Sequence, residues 1–77
     1  MEKHLLAVLL GARIKRHRLQ ADISQQALAD RCGVYRTYLG QIEAGLANPT
    51  LQILVNIAQA LDVPLATLLS RATQGEE

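Results

Sequence analysis

The chain has 77 residues, of which 49% are hydrophobic, with two tyrosines and neither tryptophan nor phenylalanine. This length allows one small domain with an aliphatic core and leaves too little room for an enzyme-sized pocket. The formal net charge is only +1, but residues 1–36 hold seven lysines and arginines against three acids, and residues 37–77 hold one against four. The nearly neutral chain therefore has a basic first half.

Cysteine content and hydropathy limit the kind of site and compartment. Cys32 is the only cysteine, which excludes an intramolecular disulfide and indicates a packed, inert thiol. The apolar run over residues 5–10 resembles part of a signal peptide, but basic residues follow it at once and it is too short to span a bilayer. No catalytic or metal-ligating constellation can be assembled. We expect a cytoplasmic protein that is not an enzyme and has no cofactor or metal.

Hydrophobic periodicity predicts five helices and no strand. The first helix covers about residues 3–20 and places Leu6, Leu10 and Ile14 on one stripe. A basic cluster on the opposite side is interpreted as a solvated helix face. Some of its residues are expected to approach the flanking phosphates of a nucleic acid. The basic cluster consists of Arg13, Lys15, Arg16, His17 and Arg18. At position 17 we expect a half-buried, hydrogen-bonded histidine.

Turn and cap residues mark the second and third helices. Asp22 supplies a turn in the left-handed conformation, the Ser24 hydroxyl caps the second helix, and Gly33 ends it. The third helix covers about residues 35–44. Ala29 lets the two helices cross closely, and apolar residues fill the angle between them, the signature of a helix-turn-helix. These apolar residues are Leu28, Cys32, Val34, Leu39 and Ile42.

The remaining chain predicts two further helices. Thr50 caps the fourth, whose apolar face consists of Leu51, Leu54, Ile57, Ala58 and Leu61. Pro64 suits the first position of the fifth helix, which ends near Ser70. We therefore expect an all-α, compact five-helix bundle, with residues 1–70 as one domain and residues 71–77 as a polar tail.

The outer face of the third helix carries side chains suited to base edges. On a helical wheel Leu39 and Ile42 lie inside, with Tyr35 between them in angle. The outer side holds Arg36, Thr37, Gly40 and Gln41. Arginine forks onto guanine, glutamine onto adenine, and the threonine methyl group contacts a thymine methyl group. Any surface helix is polar outside, but the glycine turn leaves this one projecting as a major-groove helix does.

The sequence resembles, from about residue 10 to residue 69, the Cro and phage-repressor type of helix-turn-helix transcriptional regulators, the Xre family. The matching stretches keep the family's order and spacing without insertion. They are Arg13-Ile14-Lys15 with Arg18, residues 24–29, Gly33-Val34, residues 42–45, Asn48-Pro49 and residues 57–61. The resemblance implies a lambda-repressor-like fold and sequence-specific binding to operator DNA. A closer similarity is to the controller proteins of restriction-modification systems, although many stand-alone regulators have a similar recognition helix. It rests on Arg36-Thr37-Tyr38 followed by Ile42-Glu43 and Asn48-Pro49.

The resemblance also implies roles for individual residues. Arg36, Thr37 and Gln41 contact bases, and Tyr38 contacts the backbone or the groove edge. Phosphate contacts come from Gln25, at the positive end of the second helix, and from Asn48 in the following loop. Arg18 and Glu43 form a structural ion pair, which agrees with the position of Glu43 at the edge of the inner face.

A homodimer is expected because one recognition helix contacts too few base pairs for useful specificity, so two half-sites about 34 Å apart, or a multiple of that distance, are needed. Surplus apolar residues of the last two helices form the expected interface, supplemented by Leu5, Leu6 and Leu9. They are Ile53, Val55, Val63, Leu65, Leu68 and Leu69. The competing hypothesis is an antitoxin-type or other protein-interaction module with the same fold, which solubility and stability without a partner would argue against.

Overall fold

A computed structural model describes residues 2–70, with side chains from Leu5 onward. The described residues form helices and no strand, as predicted, and the expected polar tail lies outside them. No helix among them combines the length and hydrophobicity needed to cross a membrane. The helices are α1 (Glu2–Gln20), α2 (Gln25–Cys32), α3 (Arg36–Glu43), α4 (Leu51–Leu61) and α5 (Leu65–Leu69).

The predicted caps fix the ends of α2 and α4. The Ser24 hydroxyl accepts a hydrogen bond from the backbone N–H of Ala27 at 3.0 Å, and the Thr50 hydroxyl accepts one from Ile53 at 3.1 Å. Asp22 has the expected left-handed backbone, with φ of 59°. These interactions satisfy amides that would otherwise lack partners, so both helices begin where the sequence predicts.

Two helices begin later than predicted. Tyr35 and Pro64 have extended backbones, with ψ of 146° and 147°, and each precedes the first helical residue. Neither provides a side-chain hydrogen bond to its helix. Pro64 is therefore the residue before α5 and not its first helical position, and Tyr35 is not on the inner side of α3, since 87% of it is exposed.

The core is aliphatic and draws on all five helices. It contains Ile14, Leu28, Ala29, Cys32, Leu39, Ile42, Leu54, Ile57, Ala58, Leu61 and Leu68. Three residues of the predicted apolar stripes lie outside it. Leu10 is half-buried and packs against the core, whereas Leu6 is 51% exposed and Leu51 is 65% exposed. Leu6 is two turns before Ile14, and Leu51 is the first residue of α4, so both stripes continue past the end of the core.

Arg13 is buried, so the expectation of a fully solvated basic cluster is wrong for this residue. It is only 7% exposed, and its guanidinium donates hydrogen bonds to the carbonyl oxygens of Leu68, at 3.1 Å, and of Ser70. Carbonyls at a helix C-terminus lack intrahelical partners and carry partial negative charge, which a cation stabilises. Arg13 therefore ties α1 to the end of α5.

Helices α1 and α3 approach each other closely at Gly11. A β-carbon at this position would lie 2.7 Å from the carbonyl oxygen of Glu43 and closer still to that of Ile42. Backbone atoms of a packed helix cannot move aside as a flexible side chain can. The absence of a side chain at Gly11 therefore allows the contact between α1 and α3.

Gly11→Ala is predicted to destabilise the protein by roughly 2 kcal/mol or more, because overpacking forces the backbones of two helices apart. Gly40→Ala is the matched control. A β-carbon there meets only the Gln25 amide, at 3.9 Å, so the gain in helix propensity should stabilise the protein by about 0.5 to 1 kcal/mol. Denaturant unfolding measures both, and a similar effect of the two substitutions would contradict the close approach.

Candidate nucleic-acid interface

The outward side of α3 presents three polar side chains to solvent. Arg36, Thr37 and Gln41 are exposed, whereas Leu39 and Ile42 on the opposite side are 0% and 1% exposed. We call Arg36, Thr37 and Gln41 the reading face. The amphipathic spacing buries one side of α3 against α1 and α2 and leaves the reading face outside.

A glycine turn positions α3 relative to α2. Gly33 has a left-handed backbone, with φ of 74°, and the N–H of Val34 donates to the carbonyl oxygen of Ala29 at 3.1 Å. This conformation, which a β-carbon would strain, closes α2 and redirects the chain within two residues. Ala29 is fully buried beneath the crossing. The turn therefore sets the direction in which α3 projects.

The other residues with implied DNA contacts surround α3. Asn48 is exposed in the loop between α3 and α4. Tyr38 is half-buried and packs against the core, which leaves part of its ring available at the surface. Gln25 is half-buried at the first residue of α2, next to the positive end of that helix.

Arg18 and Glu43 form a buried ion pair between α1 and α3. The Nε of Arg18 donates to one carboxylate oxygen of Glu43 at 2.7 Å, and Nη2 donates to the other at 3.1 Å. Nη1 donates to the carbonyl oxygen of Ile23 at 2.8 Å. Each residue is 7% exposed. The two-pronged geometry fixes the orientation as well as the distance between the two helices.

Gln25 links the buried ion pair to the exposed Arg36 by hydrogen bonds, a link that sequence reasoning did not predict. The Gln25 Nε2 donates to the Oε1 of Glu43 at 3.0 Å, and its Oε1 accepts from the Nη1 of Arg36 at 3.1 Å. The reading face is therefore connected to the buried ion pair. No periodicity rule pairs residues 25 and 43 or residues 25 and 36, because tertiary packing brings them together.

The basic cluster divides into inward and outward members. Lys15 and Arg16 are exposed, whereas Arg18, like Arg13, is buried. His17 is half-buried, as expected, but its Nε2 is buried without a hydrogen-bond partner, which corrects the expectation of a hydrogen-bonded side chain. Burial, followed by the positive charges of Arg16 and Arg13, lowers the pKa of His17 below its usual 6.5.

The sequence of the chain is similar to a known family and to individual characterised proteins. A family model described as helix-turn-helix matches residues 14–68. The transcriptional regulator SinR of Bacillus subtilis is 38% identical over 69 residues, which cover 88% of this chain and 62% of SinR. The chain thus spans less than two thirds of that relative. The control protein C.BamHI of Bacillus amyloliquefaciens is 35% identical over 71 residues, which cover 91% of this chain and 88% of the relative.

Solved structures share the fold. The restriction-modification controller protein C.AhdI from Aeromonas hydrophila matches with a TM-score of 0.79 and 34% identity, over 80% of this chain and 94% of that one. SinR, the master regulator for biofilm formation, in a crystal structure with DNA, matches with a TM-score of 0.75 and 40% identity, over 79% of this chain and 98% of that one. The predicted fold class is confirmed.

The lowered pKa of His17 predicts that stability decreases in mild acid. The folded chain takes up this proton at a lower pH than the unfolded chain does. As the pH falls through about 6.5, the unfolded chain therefore binds more protons, and the free energy of unfolding decreases. His17→Gln should remove this part of the decrease, whereas Lys15→Gln, a control for loss of a neighbouring charge, should keep it. Denaturant unfolding between about pH 7 and pH 5 measures the effect. Equal pH dependence in His17→Gln and the original chain would show the assignment to be wrong.

Proposed function

The chain belongs to the helix-turn-helix family, and on that premise we propose that it is a sequence-specific DNA-binding transcriptional regulator that occupies operator half-sites as a homodimer. The observation that carries the proposal is the exposed reading face on a helix whose direction is set by a glycine turn. A major-groove helix requires this combination, because its side chains must reach base edges in a fixed direction.

The reading face supplies the chemistry for direct recognition of bases. Arg36 offers a fork of donors for the O6 and N7 atoms of guanine, Gln41 offers a donor and an acceptor for adenine, and Thr37 offers a methyl group for thymine. Asn48 and Tyr38 flank it as contacts to the sugar-phosphate backbone. The relative SinR, 40% identical over the matched region, was solved in complex with DNA, which supports the same ligand for this chain.

Apolar side chains left at the surface support a homodimer through α4, α5 and the start of α1. Ile53, Val55, Val63 and Leu65 are half-buried, and Leu69 is 47% exposed. One expected interface residue is corrected, because Leu68 is 1% exposed and belongs to the core of the single chain. A groove between α1 and α5 adds further apolar surface from Leu6, Leu9 and Leu10.

We further propose that the operator belongs to a restriction-modification system. Arg36-Thr37-Tyr38 on α3 resembles the corresponding part of the controller proteins. The match covers 88% of the length of C.BamHI, against 62% of that of SinR. On this proposal the chain regulates its own gene and that of an endonuclease.

Selection of bound duplexes from random DNA tests the proposed function. We predict sites with two-fold symmetry whose half-sites are centred about 10 base pairs, or a multiple of that, apart. Arg36→Ala should weaken binding to the selected site by roughly 1 to 3 kcal/mol and relax the preference at one position in each half-site.

Lys15→Ala serves as the control, since Lys15 is an exposed cation of α1 outside the reading face. Its removal should leave the base preference unchanged. Enrichment of no sequence by the original chain would reject the DNA-binding proposal in favour of a protein-interaction module. An unsymmetrical single site would reject the homodimer.

A further inference from the structure

We infer that the groove between α1 and α5 is a binding site for a small aliphatic carboxylate, and that the guanidinium of Arg13 holds its carboxylate group. The groove has a volume of about 220 Å³. Such a site goes beyond the proposed function and is independent of it. The apolar residues that line the groove are Leu6, Leu9 and Leu10 of α1, with Leu68 and Leu69 of α5.

The apolar lining of the groove suits a short hydrocarbon chain. Leu68 is 1% exposed, whereas Leu6 and Leu69 are 51% and 47% exposed, so the groove is open to solvent on one side. A hydrocarbon chain placed here would remove its own surface and that of the leucines from water. An apolar cavity of about 150 Å³ holds a molecule as large as benzene, so this groove has room for several carbon atoms.

Arg13 places a positive charge in this apolar surrounding. It lines the groove and is only 7% exposed. Its Nη1 donates to the carbonyl oxygens of Leu68 and Ser70, but it forms no ion pair with an acidic residue in the described part of the chain. No lining residue is acidic. A buried cation is stabilised most by an anion, so the groove is complementary to a ligand that carries one negative charge.

The second buried arginine of the chain shows how a carboxylate would be held. Arg18 uses Nη1 for a carbonyl oxygen and the fork of Nε and Nη2 for the two oxygens of Glu43. Arg13 likewise uses Nη1 for carbonyl oxygens. Within residues 2–70 its Nε and Nη2 donate no hydrogen bond, and neither is buried without a partner. The same fork at Arg13 is therefore accessible to the carboxylate of a ligand.

The size and position of the groove favour a small molecule over DNA or a second copy of the chain. None of the reading face lines the groove. The family model matches residues 14–68, and Leu68 is the one lining residue within that range. A stable interface between proteins buries about 1,200 Å² or more, which is far more surface than a groove of this volume provides. The occupant that fits both the apolar walls and the cation is thus an aliphatic carboxylate.

Titration of the full chain with octanoate, followed by NMR, tests the inferred site. 1-Octanol is the probe with the same chain and no charge, and acetate is the probe with the charge and no chain. Octanoate should bind one molecule per chain, roughly ten-fold or more tightly than either of these probes, because only octanoate uses both the apolar walls and the fork. The signals that shift should be those of the leucines that line the groove and of Arg13.

Leu6→Ser should lower the affinity for octanoate roughly three- to ten-fold, because it removes part of the apolar lining. Leu5→Ser is the matched control, since Leu5 is 53% exposed on the same turn of α1 and does not line the groove. It should leave the affinity unchanged. Arg13→Gln should reduce the affinity for octanoate to that for 1-octanol. Unfolding curves establish that each variant is folded, and if Arg13→Gln is not, the three probes and the two leucine variants still decide.

Equal affinities for octanoate and 1-octanol would overturn the inference, since they would show apolar adsorption without a role for the charge. Equal losses in Leu6→Ser and Leu5→Ser would overturn it too. A third contrary result is that octanoate does not bind and Leu6→Ser weakens self-association, which would assign the groove to an interface between copies of the chain. Each of these results would leave the proposed binding to operator DNA intact, because the reading face is unchanged.

Discussion

The buried ion pair between Arg18 and Glu43 is the constraint on which the placement of α3 depends. It joins the C-terminal part of α1 to the last residue of α3, and Gly11 lets the two helices approach closely enough to form it. Each side-chain nitrogen of Arg18 and each carboxylate oxygen of Glu43 has a hydrogen-bond partner, because Arg18 also donates to the Ile23 carbonyl and Glu43 also accepts from Gln25. Removal of one charge would leave the other buried and uncompensated, which would strongly destabilise the fold.

Burial of basic residues reduces the positive charge that the first half of the chain presents to solvent. Two of the seven basic residues in the first half, Arg13 and Arg18, are buried and bond to carbonyl oxygens or to a carboxylate. They hold α5 and α3 in place. The cations left for phosphates are therefore fewer than the sequence count indicates, and recognition on the proposed function depends more on the geometry of the reading face than on a strong positive field.

The starts of α2 and α4 and the turn after α2 could be predicted from the sequence because the signals for them act locally. Ser24, Gly33 and Thr50 act on the backbone within a few residues, so their caps and turn could be inferred from spacing. Tertiary contacts are not encoded in this way. The bond from Gln25 to Glu43 and the burial of Arg13 depend on how helices pack, and an exposed and a buried arginine look alike in a sequence. The exposure of Leu6 reflects where the core ends, which periodicity alone does not specify.

The most direct test replaces the ion pair by apolar residues, in Arg18→Met/Glu43→Leu, and measures both unfolding and base discrimination. Apolar replacement of a buried pair often has little net effect on stability, so the free energy of unfolding should stay within about 2 kcal/mol of the original. Gln25 then lacks its carboxylate partner, and we predict reduced discrimination at the base pair that Arg36 contacts. A folded double variant with full discrimination there would show that the ion pair does not determine how α3 presents Arg36.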